Sequence, residues 1–196
     1  MKILRHLASL LMALSLLGLS GCMPVQEKFN NTDLTGLDYA KDFALTDHNG
    51  KPRTLADFKG KAVVIFFGYT QCPDVCPTTM VEMAGVMKLL GADADKVQVL
   101  FVTLDPERDT QALLSNYVPN FDKRFLGLYG NAEATAKVAK EFKVFYQKVD
   151  GKTPGSYTVD HTAGSYVFDP QGRIRLFLRH GQGPEPVAHD LKILLK

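Results

Sequence analysis

The sequence predicts an α/β fold, a mixed sheet with helices packed on both of its faces. Two observations in the first two thirds of the chain point to the sheet's parallel part. Lys61 to Phe67 and Val97 to Leu104 are unbroken runs rich in Val, Ile, Leu and Phe, the pattern of strands buried on both faces. Between them lies a segment with helical spacing of its apolar residues, opened by Pro77 and closed by Gly91. The third observation is a late hairpin, Gly164–Phe168 and Arg173–Leu178, turned by Asp169-Pro170-Gln171-Gly172. Strands separated by helices early and a hairpin late give a mixed sheet.

The remaining elements follow in order. Phe43–Thr46 and the region around Arg53–Leu55 flank Asp47-His48-Asn49-Gly50, a turn sequence that predicts a hairpin. The first helix is expected from Pro77 to about Leu90, with Cys76 at its N-cap, because a proline disfavours helical backbone in the residue before it. After the second buried strand, Asp105–Asp109 is a loop, and Asp109 or Thr110 caps a helix to about Val118. Phe125–Tyr129 reads as a short strand, Asn131 as the cap of a helix through Phe142, and Val144–Val149 as strand-like. A last helix covers roughly Glu185 to Leu195.

The first residues read as an address rather than a fold element. Lys2 and Arg5 form a basic start, and Leu7–Leu19 is apolar but short for a membrane span. The run ends in Leu19-Ser20-Gly21-Cys22, which resembles the lipobox of bacterial lipoproteins, where the cysteine is acylated. An ordinary cleaved signal or an uncleaved anchor helix are the alternatives. The expected organisation is a lipoprotein signal over 1–21, acylated Cys22 and a polar tether over 22–37, and one domain over 38–196. This places the domain in a bacterial cell envelope, lipid-anchored and facing the periplasm, since two or more acyl chains suffice for stable anchoring. Met23 after the cysteine leans towards the outer membrane.

Cleavage before Cys22 leaves 175 of the 196 residues and removes Lys2 and Arg5, so the net charge falls from +2 to 0. No basic patch remains to argue for nucleic acid. A neutral chain of this length suits a single domain with a sizeable core.

With Cys22 set aside, the cysteines are Cys72 and Cys76, in Gly68-Tyr69-Thr70-Gln71-Cys72-Pro73-Asp74-Val75-Cys76-Pro77 directly after the first buried strand. A structural disulfide closing so small a loop would stabilise little, so chemistry is the better reading. A helix N-terminus favours negative charge, so the Cys76 thiolate is expected to be stabilised. Paired thiolates either close on each other or close on one soft ion, and the two states exclude each other. Three intervening residues, where thiol-disulfide oxidoreductases usually have two, favour the ion.

A third ligand is needed. His6 lies in the signal, His48 in a turn, and His180 and His189 in a polar C-terminal stretch. His161 immediately precedes the strand starting at Gly164; from spacing alone it reads first as a hydrogen-bonded surface residue and only second as a ligand. Asp160 or a backbone carbonyl could orient its ring. Asp105 and Asp109 sit at the carboxyl end of the second buried strand, where sites form in open α/β sheets, although turn and cap roles are as natural. Met80, Met83 and Met87, at helical spacing, read as core rather than as soft-metal ligands.

Three motifs in order, Gly68–Thr79, Thr103-Leu104-Asp105-Pro106-Glu107-Arg108-Asp109-Thr110 and Val159-Asp160-His161-Thr162, resemble the Sco (SenC) family of copper proteins from about Phe43 to the C-terminus. The resemblance implies a thioredoxin-like fold, with copper held by Cys72, Cys76 and His161. It also implies a role at the CuA centre on subunit II of cytochrome c oxidase, either delivering copper or keeping that centre's cysteines reduced, with a thioredoxin-like reductant as a further partner. Gln71 departs from many relatives, which carry histidine there, without touching the ligand set. Thioredoxins have a proline in the loop that holds Asp160-His161-Thr162 here. Two thiolates and an imidazole suit Cu(I) and accept Cu(II), and zinc would also fit. Three readings therefore stand: a copper metallochaperone, a thiol-disulfide reductase that needs the cysteines alone, and a peroxiredoxin-like peroxidase. Thr70 fits the last, but Phe66, Phe67 and Gly68 lack the proline it would need.

Overall fold

The computed structural model describes residues 28–196. Cys22 and the stretch read as a signal lie outside them. Ten strands and four α-helices follow in the order β1 (Thr32–Asp33), β2 (Leu45–Asp47), β3 (Pro52–Arg53), β4 (Ala62–Gly68), α1 (Val75–Leu90), β5 (Val97–Thr103), α2 (Gln111–Tyr117), β6 (Leu126–Tyr129), α3 (Ala132–Glu141), β7 (Tyr146–Asp150), β8 (Tyr157–His161), β9 (Ser165–Phe168), β10 (Ile174–Leu178) and α4 (Pro184–Leu194). Eight strands form one sheet in the order β1-β10-β9-β4-β5-β6-β2-β3, flanked by helices, while β7 and β8 form a separate two-stranded ribbon.

The predicted mixed character is observed. β4 pairs in parallel with β5 and β5 with β6, whereas β9 runs antiparallel to β4 and β10 antiparallel to β9. Every residue of β4 and β5 is buried. That is the physical reason for their continuous apolar runs: with both faces covered there is no solvated side to alternate with. Phe66, Phe67, Phe101, Phe142 and Phe168 are among the largest buried side chains, and Met80, Met83 and Met87 are buried with them on the inner side of α1. The methionines are core, as their spacing implied.

Local chemistry fixes the connections. Asp47 Oδ1 accepts from the amides of Asn49 and Lys51 at 2.8 and 3.0 Å, which closes the β2–β3 turn. His48 is buried, and its Nδ1 accepts from the Gly127 amide at 3.0 Å, pinning that turn to β6. Thr110 caps α2 by accepting from Leu113 N at 3.2 Å, and Asn131 caps α3 by accepting from Ala134 N at 2.8 Å.

Two expectations change. Part of the stretch read as a tether is fold: Thr32–Asp33 pairs with β10, and Leu34 is buried in the core. Asp190 holds this segment in place, accepting from the Asn30 and Asn31 amides at 2.9 Å each. Polar composition misled here because the strand is an exposed edge two residues long. The second change is β8, which the sequence reading passed over and which pairs with β7 from Tyr146↔His161 to Asp150↔Tyr157.

Candidate metal centre

The thiol loop leaves β4 at Gly68 and enters α1 at Val75, so the helix begins two residues before the expected Pro77, with Asp74 rather than Cys76 at its N-cap. Cys76 is therefore inside the first turn. Pro77 is tolerated at the third helical position because amides there have no intrahelical partner to lose. The consequence is chemical. The Cys76 amide donates to Cys72 Sγ at 3.4 Å, so the helix terminus serves the sulfur of Cys72 rather than that of Cys76.

Cys76 is completely buried and Cys72 partly exposed, and both are free thiols. Burial pushes the Cys76 thiol far above its ordinary range, reinforced by Cys72 and Asp109 and only partly offset by the Tyr69 backbone. The expected low-pKa thiolate at Cys76 is thus corrected for the metal-free site: desolvation outweighs the helix terminus. The group ionises when a cation displaces its proton.

His161 closes β8 rather than merely preceding a strand. Its Nε2 lies 3.5 Å from Cys76 Sγ. Nδ1 donates to the Thr162 carbonyl at 2.9 Å, which fixes the tautomer and leaves the Nε2 lone pair directed at the sulfurs. Burial lowers the imidazole's pKa, opposed by the Thr162 carbonyl and Asp160, so the ring is neutral around pH 7. The edges and faces of Phe66 and Tyr69 flank it at centroid distances of 6.3 and 6.1 Å. Cys72 Sγ, Cys76 Sγ and a His161 ring nitrogen lie within 4.8 Å of one another. Three donor atoms that close, two soft and one borderline, fit a single soft ion.

Glycines permit the approach at two points. A Cβ on Gly68 would sit 2.8 Å from Cys76 Sγ and 2.9 Å from the Phe66 ring. One on Gly164 would fall 1.9 Å from Phe177 Cζ, so the turn that follows His161 can lie only where a glycine allows it.

The carboxylates at the end of β5 brace the site rather than enter it. Asp109 accepts from Thr70 N at 3.0 Å, Thr70 Oγ1 at 2.6 Å and Thr103 Oγ1 at 2.6 Å, which ties the thiol loop to β5. It is not the cap of α2. Asp105 accepts from Tyr157 Oη at 2.9 Å and from Arg108 Nε. Asp160 is exposed, and the orienting partner of the imidazole is the Thr162 carbonyl instead. His180 is 3.0 Å from Thr79 Oγ1 and His189 is 2.8 Å from Asp190, contacts that hold structure away from the centre. Arg108, overlooked in the sequence, donates through Nη1 to Gln71 and to the Tyr157 carbonyl. The alternation Tyr157-Val159-His161 was the available signal for β8, and β8 is what brings Arg108 into play.

Two of the three donor residues, Cys72 and His161, line a cleft of about 510 Å³ together with Tyr69, Pro73, Phe145 and Asp160, and Phe145 there is 62% exposed.

Residues 31–196 match the model of the SCO1/SenC family. The chain belongs to that family. It is 37% identical over 153 residues to the mitochondrial SCO2 homolog of Bos taurus, a match covering 77% of this chain and 58% of the bovine protein. The matched stretch is thus little more than half of that relative's length. Among solved structures, Bradyrhizobium japonicum ScoI with copper bound is 47% identical, with a TM-score of 0.73 over 79% of this chain and 98% of that one. Apo Sco1 from Thermus thermophilus is 40% identical, with a TM-score of 0.77 over 87% and 99%. The thioredoxin-like fold of family members is the fold observed here.

Proposed function

We propose that the protein is a copper metallochaperone that takes one copper ion on Cys72, Cys76 and His161 and delivers it to the CuA centre of cytochrome c oxidase subunit II. The observation that carries the reading is the convergence of two sulfurs and one ring nitrogen within 4.8 Å. The copper-bound state of its B. japonicum relative supports the choice of copper over zinc. So does the donor chemistry, since two thiolates and one imidazole suit Cu(I). A partly exposed Cys72 beside an open cleft gives an incoming acceptor thiol a sulfur to replace first, while buried Cys76 holds on longest. Acylation at Cys22 would keep this exchange at the periplasmic face of the envelope, and a thioredoxin-like reductant would keep both thiols open.

The test is transfer. Two equivalents of Cu(I)-loaded protein mixed with the soluble, reduced CuA domain, followed by one-electron oxidation with ferricyanide, should generate the mixed-valence CuA absorption bands, and protein carrying His161→Ala should not. Equal transfer by the two would remove the imidazole, and with it this mechanism.

The second reading is reduction of the acceptor's cysteines. It draws on the asymmetry of the thiols, Cys72 accessible and Cys76 buried. Cys72 would attack the acceptor disulfide and Cys76 would release it, so two thiols become one disulfide here while two electrons and two protons pass to the acceptor. Oxidase assembly that survives His161→Ala but fails with Cys72→Ser or Cys76→Ser would favour this role.

A further inference from the structure

Arg108 occupies none of the ligand positions, yet it reaches both halves of the site. Its Nε donates to buried Asp105. Its Nη1 donates to Gln71 Oε1 at 3.1 Å, on the residue before Cys72, and to the Tyr157 carbonyl at 3.0 Å, on the first residue of β8. The guanidinium carbon sits 3.6 Å from the Tyr157 ring centroid and 5.6 Å from that of Tyr69. Tyr157 returns the contact by donating Oη to Asp105 at 2.9 Å.

We propose that Arg108 is a positioning residue for the metal, its guanidinium setting the gap between the thiol loop and the strand that carries His161. This rests on the copper reading of the site. β7 and β8 hydrogen-bond as strands only to each other, so the sheet ladder does not fix the ribbon against the thiol loop. Side chains must do so. Tyr157 and His161 are the two ends of β8, a stiff lever of five residues. Holding one end holds the other. Arg108 Nη2 is buried with no hydrogen-bond partner, so the side chain is kept in this pose at a desolvation cost. Lysine could not replace it: one ammonium on a flexible stem cannot span three acceptors while stacking on a ring.

The experiment is a double-mutant cycle in Cu(I) affinity, read by competition with a chromophoric Cu(I) chelator, on reduced full-length protein. Arg108→Lys should weaken Cu(I) binding by about 10- to 100-fold, the usual effect of losing a group that orients a ligand. In a His161→Ala background the same change should move affinity by no more than about twofold, because its effect runs through the imidazole. A merely structural role would lower the melting temperature of the metal-free protein equally in both backgrounds and leave affinity unmoved. Should Arg108→Lys fail to fold, exposed Gln71→Ala removes one acceptor without disturbing the core and should give a severalfold loss that vanishes with His161→Ala. Wild-type affinity in Arg108→Lys, or losses that simply add, would overturn the inference alone. Failure of the unaltered protein to bind Cu(I) would instead remove the copper reading, and this inference with it.

Discussion

At the centre of the site a glycine, two sulfurs and a ring compete for the same few cubic ångströms. Gly68 is the tightest point, since a methyl there would press on Cys76 Sγ at 2.8 Å and on Phe66 at 2.9 Å. Gly68→Ala should cost about 1–3 kcal/mol, as overpacking does, measured as a shift of the urea midpoint with unchanged slope. A smaller shift would show that the α1 terminus can give way. The ionisation of Cys76 makes a second prediction at this scale. Burial holds the thiol protonated in the metal-free protein, so copper must displace that proton. Affinity therefore rises with pH, by about one decade per pH unit for each proton released. Competition titrations between pH 6 and pH 8 check this, and a pH-independent affinity would mean that Cys76 does not ligate.

At the scale of elements, Asp190 joins the first described residues to the last helix. Burial alone would raise its carboxyl pKa, but the Asn30 and Asn31 amides and the His189 contact overcome that and hold it below the ordinary value. A depressed pKa stabilises the fold above the unfolded value of 3.8, and that contribution is lost as pH falls through the folded pKa. Asp190→Asn should therefore flatten the acid limb of the stability curve and release β1, costing about 1–3 kcal/mol. Hydrogen exchange at Thr32 and Leu34 reports the release, and unchanged protection there would contradict it. What the sequence could and could not disclose also divides by element. β4, β5, α1 and the β9–β10 hairpin carry long, clean patterns, and they lie where those patterns put them, save that α1 begins two residues before Pro77. β1 and β8 do not: β1 is two exposed residues whose partner, β10, lies at the far end of the chain, and β8 is only five residues long, with buried Val159 alone marking its inner face. The site divides in the same way. The cysteines announce themselves by spacing, His161 only through its family motif, and Arg108 not at all, since its meaning lies in joining Gln71, 37 residues before it, to Tyr157, 49 residues after it.

For the whole molecule, the sheet and its helices form a rigid wall against which a small ribbon presents one imidazole to two thiols. Metal and disulfide compete for the same sulfurs, so redox state sets capacity. Reduced protein should gain stability from copper, about 2.7 kcal/mol at free copper one hundredfold above Kd, whereas oxidised protein should gain none. Differential scanning calorimetry of the two forms distinguishes these outcomes, and equal stabilisation of both would place the ion elsewhere. The central claim is convergence of the three donors on one ion, and X-ray absorption spectroscopy of the reduced, copper-loaded protein tests it most directly. Two sulfurs and one imidazole nitrogen around copper, with the nitrogen lost in His161→Ala, is the predicted result. A sulfur-only shell, identical in the wild type and that variant, would contradict it.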